Sequence, residues 1–189
     1  MSCDTDKQPI LRTERLILRP FVLEDASVVQ RLAGDRAVAD TTLAIPHPYE
    51  DGVAEAWITA HCQQFQERKK CIFAVTLRDI PQVIGAVELG LTLPHARGEL
   101  GYWIGQTFWN RGYCTEAAQA VVDYGFSALG LHRIQGRHLT RNPASGRVLL
   151  KLGMHHEGRL RQHRRAGPVF EDVDIYGALN THRPLFMGA

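Results

Sequence analysis

No apolar run in this 189-residue chain approaches the roughly 20 residues a helix needs to span a bilayer. The opening MSCDTDKQPI lacks the basic-then-apolar order of an export signal. These absences set the expectation of a cytoplasmic protein with no membrane partner. Charge is nearly balanced, 22 Lys and Arg against 20 Asp and Glu, for a formal net charge of +2. Binding to nucleic acid through its phosphates needs a clustered basic surface, so no direct nucleic-acid partner is expected. The four cysteines (Cys3, Cys62, Cys71 and Cys114) form no CxxC pair, and the nine histidines form no HExxH. Neither a metal site nor a disulfide is therefore expected. His155 and His156 are adjacent and would point to opposite faces of a strand, one packed and one solvated. Two phosphate-binding motifs are also missing, the dinucleotide GxGxxG and the GxxxxGK loop followed by Ser or Thr.

What is present is an ordinary globular composition, 44% hydrophobic and 22% charged, at a length that suits one domain over 1–189. Alternating apolar side chains predict strands at 14–21, 72–77, 83–93, 99–104, 133–139, 155–160 and 169–179. Apolar spacings of three and four predict helices at 24–32, 51–66, 115–127 and 142–152. The last of these is opened by Asn-Pro and closed by Gly153. The order implies an α+β fold, a single mixed, mostly antiparallel sheet of about seven strands flanked by four helices. The strands at 99–104 and 133–139, separated by a crossover helix, should be parallel.

Between the strand at 99–104 and the helix at 115–127 lies WNRGYCTEA. A glycine at a helix start lets several backbone N–H groups point outward, and together with the helix dipole they favour an anion. Gly112, between Arg111 and Thr115, fits a phosphate-binding turn; it fits equally a helix start that serves packing alone.

The stretch GELGYWIGQTFWNRGYCTEAAQAVVDYGFSALGLHRIQGRHLTRNPASGRVLLKLGMHHEGRLR resembles the GNAT acetyltransferases. Within them it is most similar to the Rim-type branch that acetylates the N-termini of ribosomal proteins. The likeness runs from LRTERLILRPF to DVDIYGAL, and its most specific parts are GYWIG, NRGYCTEA and NPASGRVLLKLG. The resemblance implies an acetyl-CoA donor whose pyrophosphate lies on the backbone of Asn110, Arg111, Gly112, Tyr113, Cys114 and Thr115. It also implies contacts from Trp103 and Ile104, and from Asn142 to the pantetheine arm. Asn142 reads equally as a helix cap. Homodimers are common in that branch. Cys114 departs from the small residue usual at its place; a helix N-terminus lowers a thiol's pKa and leaves a nucleophile open, but a small-residue substitution is the preferred reading because the family transfers directly without an acyl-enzyme.

Aminolysis of a thioester needs a neutral amine, a donor for the oxyanion and a proton for the departing thiolate. The resemblance assigns the base to Glu99, with Glu88 as the alternative, and the acid to Ser145. The oxyanion goes to a backbone N–H near Trp103 and Ile104. A solvated carboxylate at a strand end and an ordinary helix serine are the plainer readings. An α-amino group has a pKa near 7.7 to 8.0 against about 10.4 for lysine, so deprotonating it at neutral pH costs roughly 3 kcal/mol less, a mild preference for an N-terminal acceptor. Arg159, Arg161, Arg164 and Arg165 fall on the hairpin that borders the acceptor groove in this fold, and TTLAIPHPY resembles the branch's substrate loop. The expected function is N-acetyl transfer to a protein or peptide N-terminus. The alternatives are a small-molecule amine acceptor such as a polyamine, amino acid or aminoglycoside, and an acyl-CoA-binding module without catalysis.

Overall fold

The computed structural model describes residues 8–166 and 168–180. Eight strands form one sheet in the order β1-β2-β3-β4-β5-β6-β8-β7. They are β1 (Leu11–Arg12), β2 (Leu16–Arg19), β3 (Lys70–Leu77), β4 (Val83–Thr92), β5 (Arg97–Ile104), β6 (Arg133–Leu139), β7 (His155–Ala166) and β8 (Val169–Leu179). Five helices accompany them: α1 (Ala26–Ala33), α2 (Arg36–Ala39), α3 (Val53–Gln66), α4 (Tyr113–Ser127) and α5 (Pro143–Lys151). Every neighbouring pair is antiparallel except β5 and β6, which run parallel as the crossover through α4 requires.

The additions to the expected count are short. β1 has two residues and exists by pairing Leu11 with Leu18 and Arg12 with Ile17, too brief for an alternation to show. α2 has four, started by Asp35, whose carboxylate accepts the Ala37 N–H at 2.8 Å. β7 runs past 160 through RQHRRA, which reads as a loop because it is polar throughout. Its pairing with β8 survives by register shifts between His156 and Gly158 and between Leu160 and Arg164. One expectation is corrected outright: Cys62 on α3 is disulfide-bonded. A single disulfide needs no motif spacing, so the lack of CxxC did not exclude it.

The sheet's two faces follow from period-two alternation. On β3, Cys71, Phe73 and Val75 face one side with α4 and α5, through Ala117, Ala118, Val121, Val122 and Leu149. Ile72 and Ala74 face the other, against Val29 and Ala33 of α1 and Ala54 and Ile58 of α3. Gly125 brings α4 down onto the sheet: a Cβ there would lie 2.8 Å from Ile134 Cδ1 and 2.9 Å from Leu89 Cδ2. No described helix is long and apolar enough to cross a membrane.

Candidate active site

The sheet is interrupted in one place. β5 and β6 pair from Arg97 and Arg133 only as far as Leu100 and Gly136, although β5 continues to Ile104 and β6 to Leu139. Beyond that point the strands splay and leave a gap through the sheet. The Gly105 N–H donates to the Ile84 carbonyl at 2.8 Å, which fixes the alternation of the β4–β5 ladder. By that alternation the Trp103 N–H turns toward Ala86 of β4, whereas the N–H groups of Tyr102 and Ile104 turn into the gap. The Ile104 carbonyl is already taken by the Trp109 indole N–H at 2.6 Å, so Ile104 offers the gap a donor and no free acceptor.

The turn after β5 is held in left-handed backbone at two points, Asn110 (φ 60°) and Gly112 (φ 80°). Glycine adopts that conformation without strain, which is why it stands at the N-terminal boundary of α4. No side chain caps this helix, and the first intrahelical bond is from the Glu116 N–H to the Gly112 carbonyl at 3.0 Å. The N–H groups of Tyr113, Cys114 and Thr115 are therefore the helix's unpaired donors, in the arrangement that suits a phosphate. Arg15 braces this turn from β2's approach. Its guanidinium donates to the Arg111 carbonyl at 3.0 Å, pairs with Glu116 at 2.6 Å and lies 4.8 Å above the Tyr113 ring. Composition and spacing gave no sign of this brace, since its partners are about a hundred residues apart.

A cavity of about 350 Å³ opens at the turn, lined among others by Trp103, Ile104, Asn110, Gly112, Tyr113, Cys114, Thr115, Asn142 and Ser145. Arg111 is not part of its wall. The Cys114 side chain packs against the hydrophobic core, and burial pushes its thiol up to about 12. Desolvation thus outweighs the helix terminus, and the residue is no thiolate.

Asn142 is a cap. Its Oδ1 accepts the Ser145 N–H at 3.2 Å, and its Nδ2 donates to the Thr41 carbonyl at 2.9 Å, tying α5 to the loop after α2. Ser145 meets a residue not singled out from sequence, Tyr102. The phenol is 2.9 Å from Ser145 Oγ and donates to the Ser145 carbonyl at 3.0 Å. Burial, then the neighbouring Cys114, raises the phenol's pKa well above its ordinary range, only partly offset by the bond to Ser145, so it stays protonated. GYWIG carried this information as alternation: Tyr102 faces the α5 side and Trp103 the opposite one.

A second cavity, of about 580 Å³, lies on that opposite face. Thr41, Thr42, Tyr102, Trp103 and Ser145 line both cavities, so they meet at the gap. Its apolar wall includes Val29, Ile45, Tyr49, Trp57, Ile72 and Ala86, and the loop expected on the substrate side contributes Thr41 to Pro46 and Tyr49. Glu88 and Glu99 are diagonal neighbours at its rim, on facing strands. Gly101 gives Glu88 its room, since a Cβ there would sit 2.9 Å from Glu88 Cγ. Both carboxylates are paired, Glu88 with Lys70 at 3.3 Å and Glu99 with Arg137. Gln135 Nε2 also donates to Glu99 at 3.1 Å, so both Glu99 oxygens are engaged. On the arginine hairpin Arg159 bonds Asp174 at 2.9 Å, and none of Arg159, Arg161, Arg164 and Arg165 lines either cavity, although His163 of the same hairpin lies 3.4 Å from Arg137. The cations lining the acceptor side are Lys70 and Arg137, which sequence reading passed over within ordinary strands.

Comparison with known proteins supports this geometry. The profile of the acetyltransferase (GNAT) domain matches residues 15–155. The N-acetyltransferase YoaA of Bacillus subtilis is 35% identical over 170 residues, covering 89% of this chain and 95% of that protein. Among solved structures, a GNAT-family acetyltransferase from Bacillus anthracis is 27% identical with a TM-score of 0.80, covering 91% of this chain and 99% of the other. RimL, a ribosomal L7/L12 α-N-protein acetyltransferase solved in complex with coenzyme A, shares the fold with a TM-score of 0.83 at 16% identity, over 90% of this chain and 98% of its own. With a left-handed turn of free N–H groups at the end of a splayed strand and a domain profile covering most of its length, the chain belongs to the GNAT family of acetyl-CoA-dependent N-acetyltransferases.

Proposed function

We propose that the protein transfers an acetyl group from acetyl-CoA directly to the N-terminal amine of a protein or peptide. One observation carries this reading: each carboxylate at the rim of the 580 Å³ cavity is matched by a cation, Glu88 by Lys70 and Glu99 by Arg137. A polyamine or aminoglycoside needs several uncompensated acidic groups. A chain terminus brings one ammonium beside a side chain and a carbonyl, and it suits paired charges next to an apolar wall. The name of RimL, a protein of the same fold, points the same way.

In this reading acetyl-CoA lies with its pyrophosphate on the N–H groups of Tyr113 to Thr115 and its thioester at the gap between β5 and β6. The acceptor ammonium enters from the cavity of Glu88 and Glu99, passes a proton to Glu99 directly or through water, and as the neutral amine adds to the thioester carbonyl. The Ile104 N–H, fixed by the ladder, meets the developing oxyanion without reorganisation. The C–S bond then breaks, and Ser145 supplies the thiolate's proton, its hydroxyl oriented by Tyr102. Paired as they are, Glu88 and Glu99 draw the ammonium in while Arg137 and Lys70 receive peptide carbonyls.

The test is transfer of isotope-labelled acetyl from acetyl-CoA into a desalted lysate, with peptides and small molecules separated and read by mass spectrometry. Label on protein N-termini is the expected result. Label confined to small amines would refute the acceptor assignment, and no label anywhere would refute catalysis.

A further inference from the structure

The floor of the 580 Å³ cavity is graded from charge to hydrocarbon. Side chains of β3, β4 and β5 that point to the α1 and α3 face stand in three rows, set by the registers of the two ladders. Lys70 and Glu99 flank Gly90 in the first, Ile72, Glu88 and Gly101 form the second, and Ala74, Ala86 and Trp103 form the third. Successive rows are two residues of strand apart, about 7 Å. Over this floor the roof is apolar: Val29 and Ala33 come from α1, Val53 and Trp57 from α3, and Ile45 and Tyr49 from the loop after α2. No charged side chain of α1, α3 or that loop is among the described residues that line the cavity. Trp57 is fixed by edge contacts with Phe21 at 5.1 Å and His61 at 4.3 Å. His61 is buried, and burial together with the charge of Lys70 pushes its pKa down to about 4, so the ring behind Trp57 is neutral.

We propose that this cavity selects acceptors whose amine stands next to a large apolar side chain, leucine-like or aromatic, held between Ile72 and Ala86 of the floor and Ile45 and Trp57 of the roof; the assignment rests on the amine-transfer reading above. With the amine between Glu99 and the gap, the group on the adjacent carbon is the one turned to the apolar enclosure. A methyl or hydroxymethyl group is too short to cross one row of the floor, and it leaves Trp57, Ile72 and Ala86 facing water. A lysine or arginine side chain carries its charge under a roof that holds no carboxylate, which costs desolvation without a partner. A leucine side chain or an aromatic ring crosses the step and covers the wall, and an aromatic ring also meets the faces and edges of Trp57 and Tyr49. The charged row then serves the amine and the apolar rows serve the side chain.

The experiment measures kcat/KM of the full-length enzyme, at saturating acetyl-CoA, on two matched series of acceptors: short peptides and single amino-acid amides whose first residue is alanine, serine, leucine, phenylalanine or lysine. Leucine and phenylalanine should exceed alanine and serine by about 10–100-fold within a series, with lysine no better than alanine. Ile45→Asp brings a carboxylate into the roof and Trp57→Ala removes its largest face, and each should bring the phenylalanine-to-alanine ratio to within about threefold of unity. Thermal melting and acetyl-CoA binding report folding separately, and Ile45, on a loop, carries the test if the Trp57 variant does not fold. A wild-type ratio near unity in both series, a preference for lysine, an Ile45→Asp enzyme that keeps the wild-type ratio, or no turnover of either series overturns the proposal. The same preference among amides, with no peptide acetylated, would fail the chain-terminus reading and uphold the pocket.

Discussion

Substituting Glu116 tests whether the donor turn is held by the brace from Arg15. The Glu116 carboxylate accepts from Thr13 Oγ1 at 2.6 Å, from the Arg15 backbone N–H at 2.9 Å and from Arg15 Nε at 2.7 Å. Burial pushes its pKa up, but these bonds and the guanidinium charge outweigh burial and hold it below the usual carboxylate range. Glu116→Gln keeps the shape, removes the charge and turns one acceptor into a donor facing other donors. Bonds to a charged group contribute about 1.5–3 kcal/mol, but Arg15 is 45% exposed, so solvent screening reduces the loss to about 1–2 kcal/mol. For a chain of this size that is a fall in Tm of about 2–8 °C. The sign with pH follows from the depressed pKa. The contribution is full above about pH 4.3 and is lost as pH falls through the folded value, so wild type and variant should converge in acid. Arg15→Met also frees the Arg111 carbonyl, and with it the turn carrying the Tyr113 to Thr115 donors. Acetyl-CoA binding by calorimetry should weaken about tenfold, roughly 1.4 kcal/mol, with kcat at saturation nearly unchanged. Unaltered acetyl-CoA affinity in Arg15→Met would confine the brace to stability, and an unaltered Tm in Glu116→Gln would refute the hydrogen-bond argument itself.

Two further outcomes are expected. Cys114→Ala should keep kcat within threefold, and Cys114 should resist iodoacetamide at pH 8, because a thiol pushed up to about 12 is almost wholly protonated there; a trapped acetyl-cysteine would overturn direct transfer. Asp174 is 6% exposed, and its carboxyl lies below the usual range because of Arg159, against burial and with help from His156. Asp174→Asn should destabilise by about 1–3 kcal/mol near neutrality, the difference shrinking as pH falls below about 3.9, and an equal difference in urea unfolding at pH 3 and 7 would contradict that sign.

The fold was legible wherever a segment had a face to bury. Ile72 to Val75 alternate between two helical layers, and the α4 face Ala117, Val121 recurs at helical spacing, so their strands and helix could be placed from the chain alone. β1, α2 and the far half of β7 were not legible, because two residues, four residues and a uniformly polar run carry no period. The donor turn was partly legible, since Gly112 and its neighbours form a local motif. Arg15, Tyr102 and Arg137 were not, because each matters through a partner distant in sequence: Arg15 through Arg111, Tyr102 through Ser145, Arg137 through Glu99.

Those partnerships depend on one interruption of the sheet. Had β5 and β6 stayed paired past Leu100 and Gly136, the Tyr102 and Ile104 N–H groups would be spent on β6, and the two faces would be sealed from each other. Parting there leaves unpaired donors on β5 and lets Arg137, near the end of β6, line the acceptor-side cavity. A hydrophobic core could not tolerate such a gap, because each bare N–H would cost about 1–3 kcal/mol with nothing to bond. The Trp109 indole closes off the Ile104 carbonyl, which would repel an oxyanion, and leaves that residue's N–H open. The arrangement is selective in sign, offering donors where negative charge develops on the carbonyl oxygen.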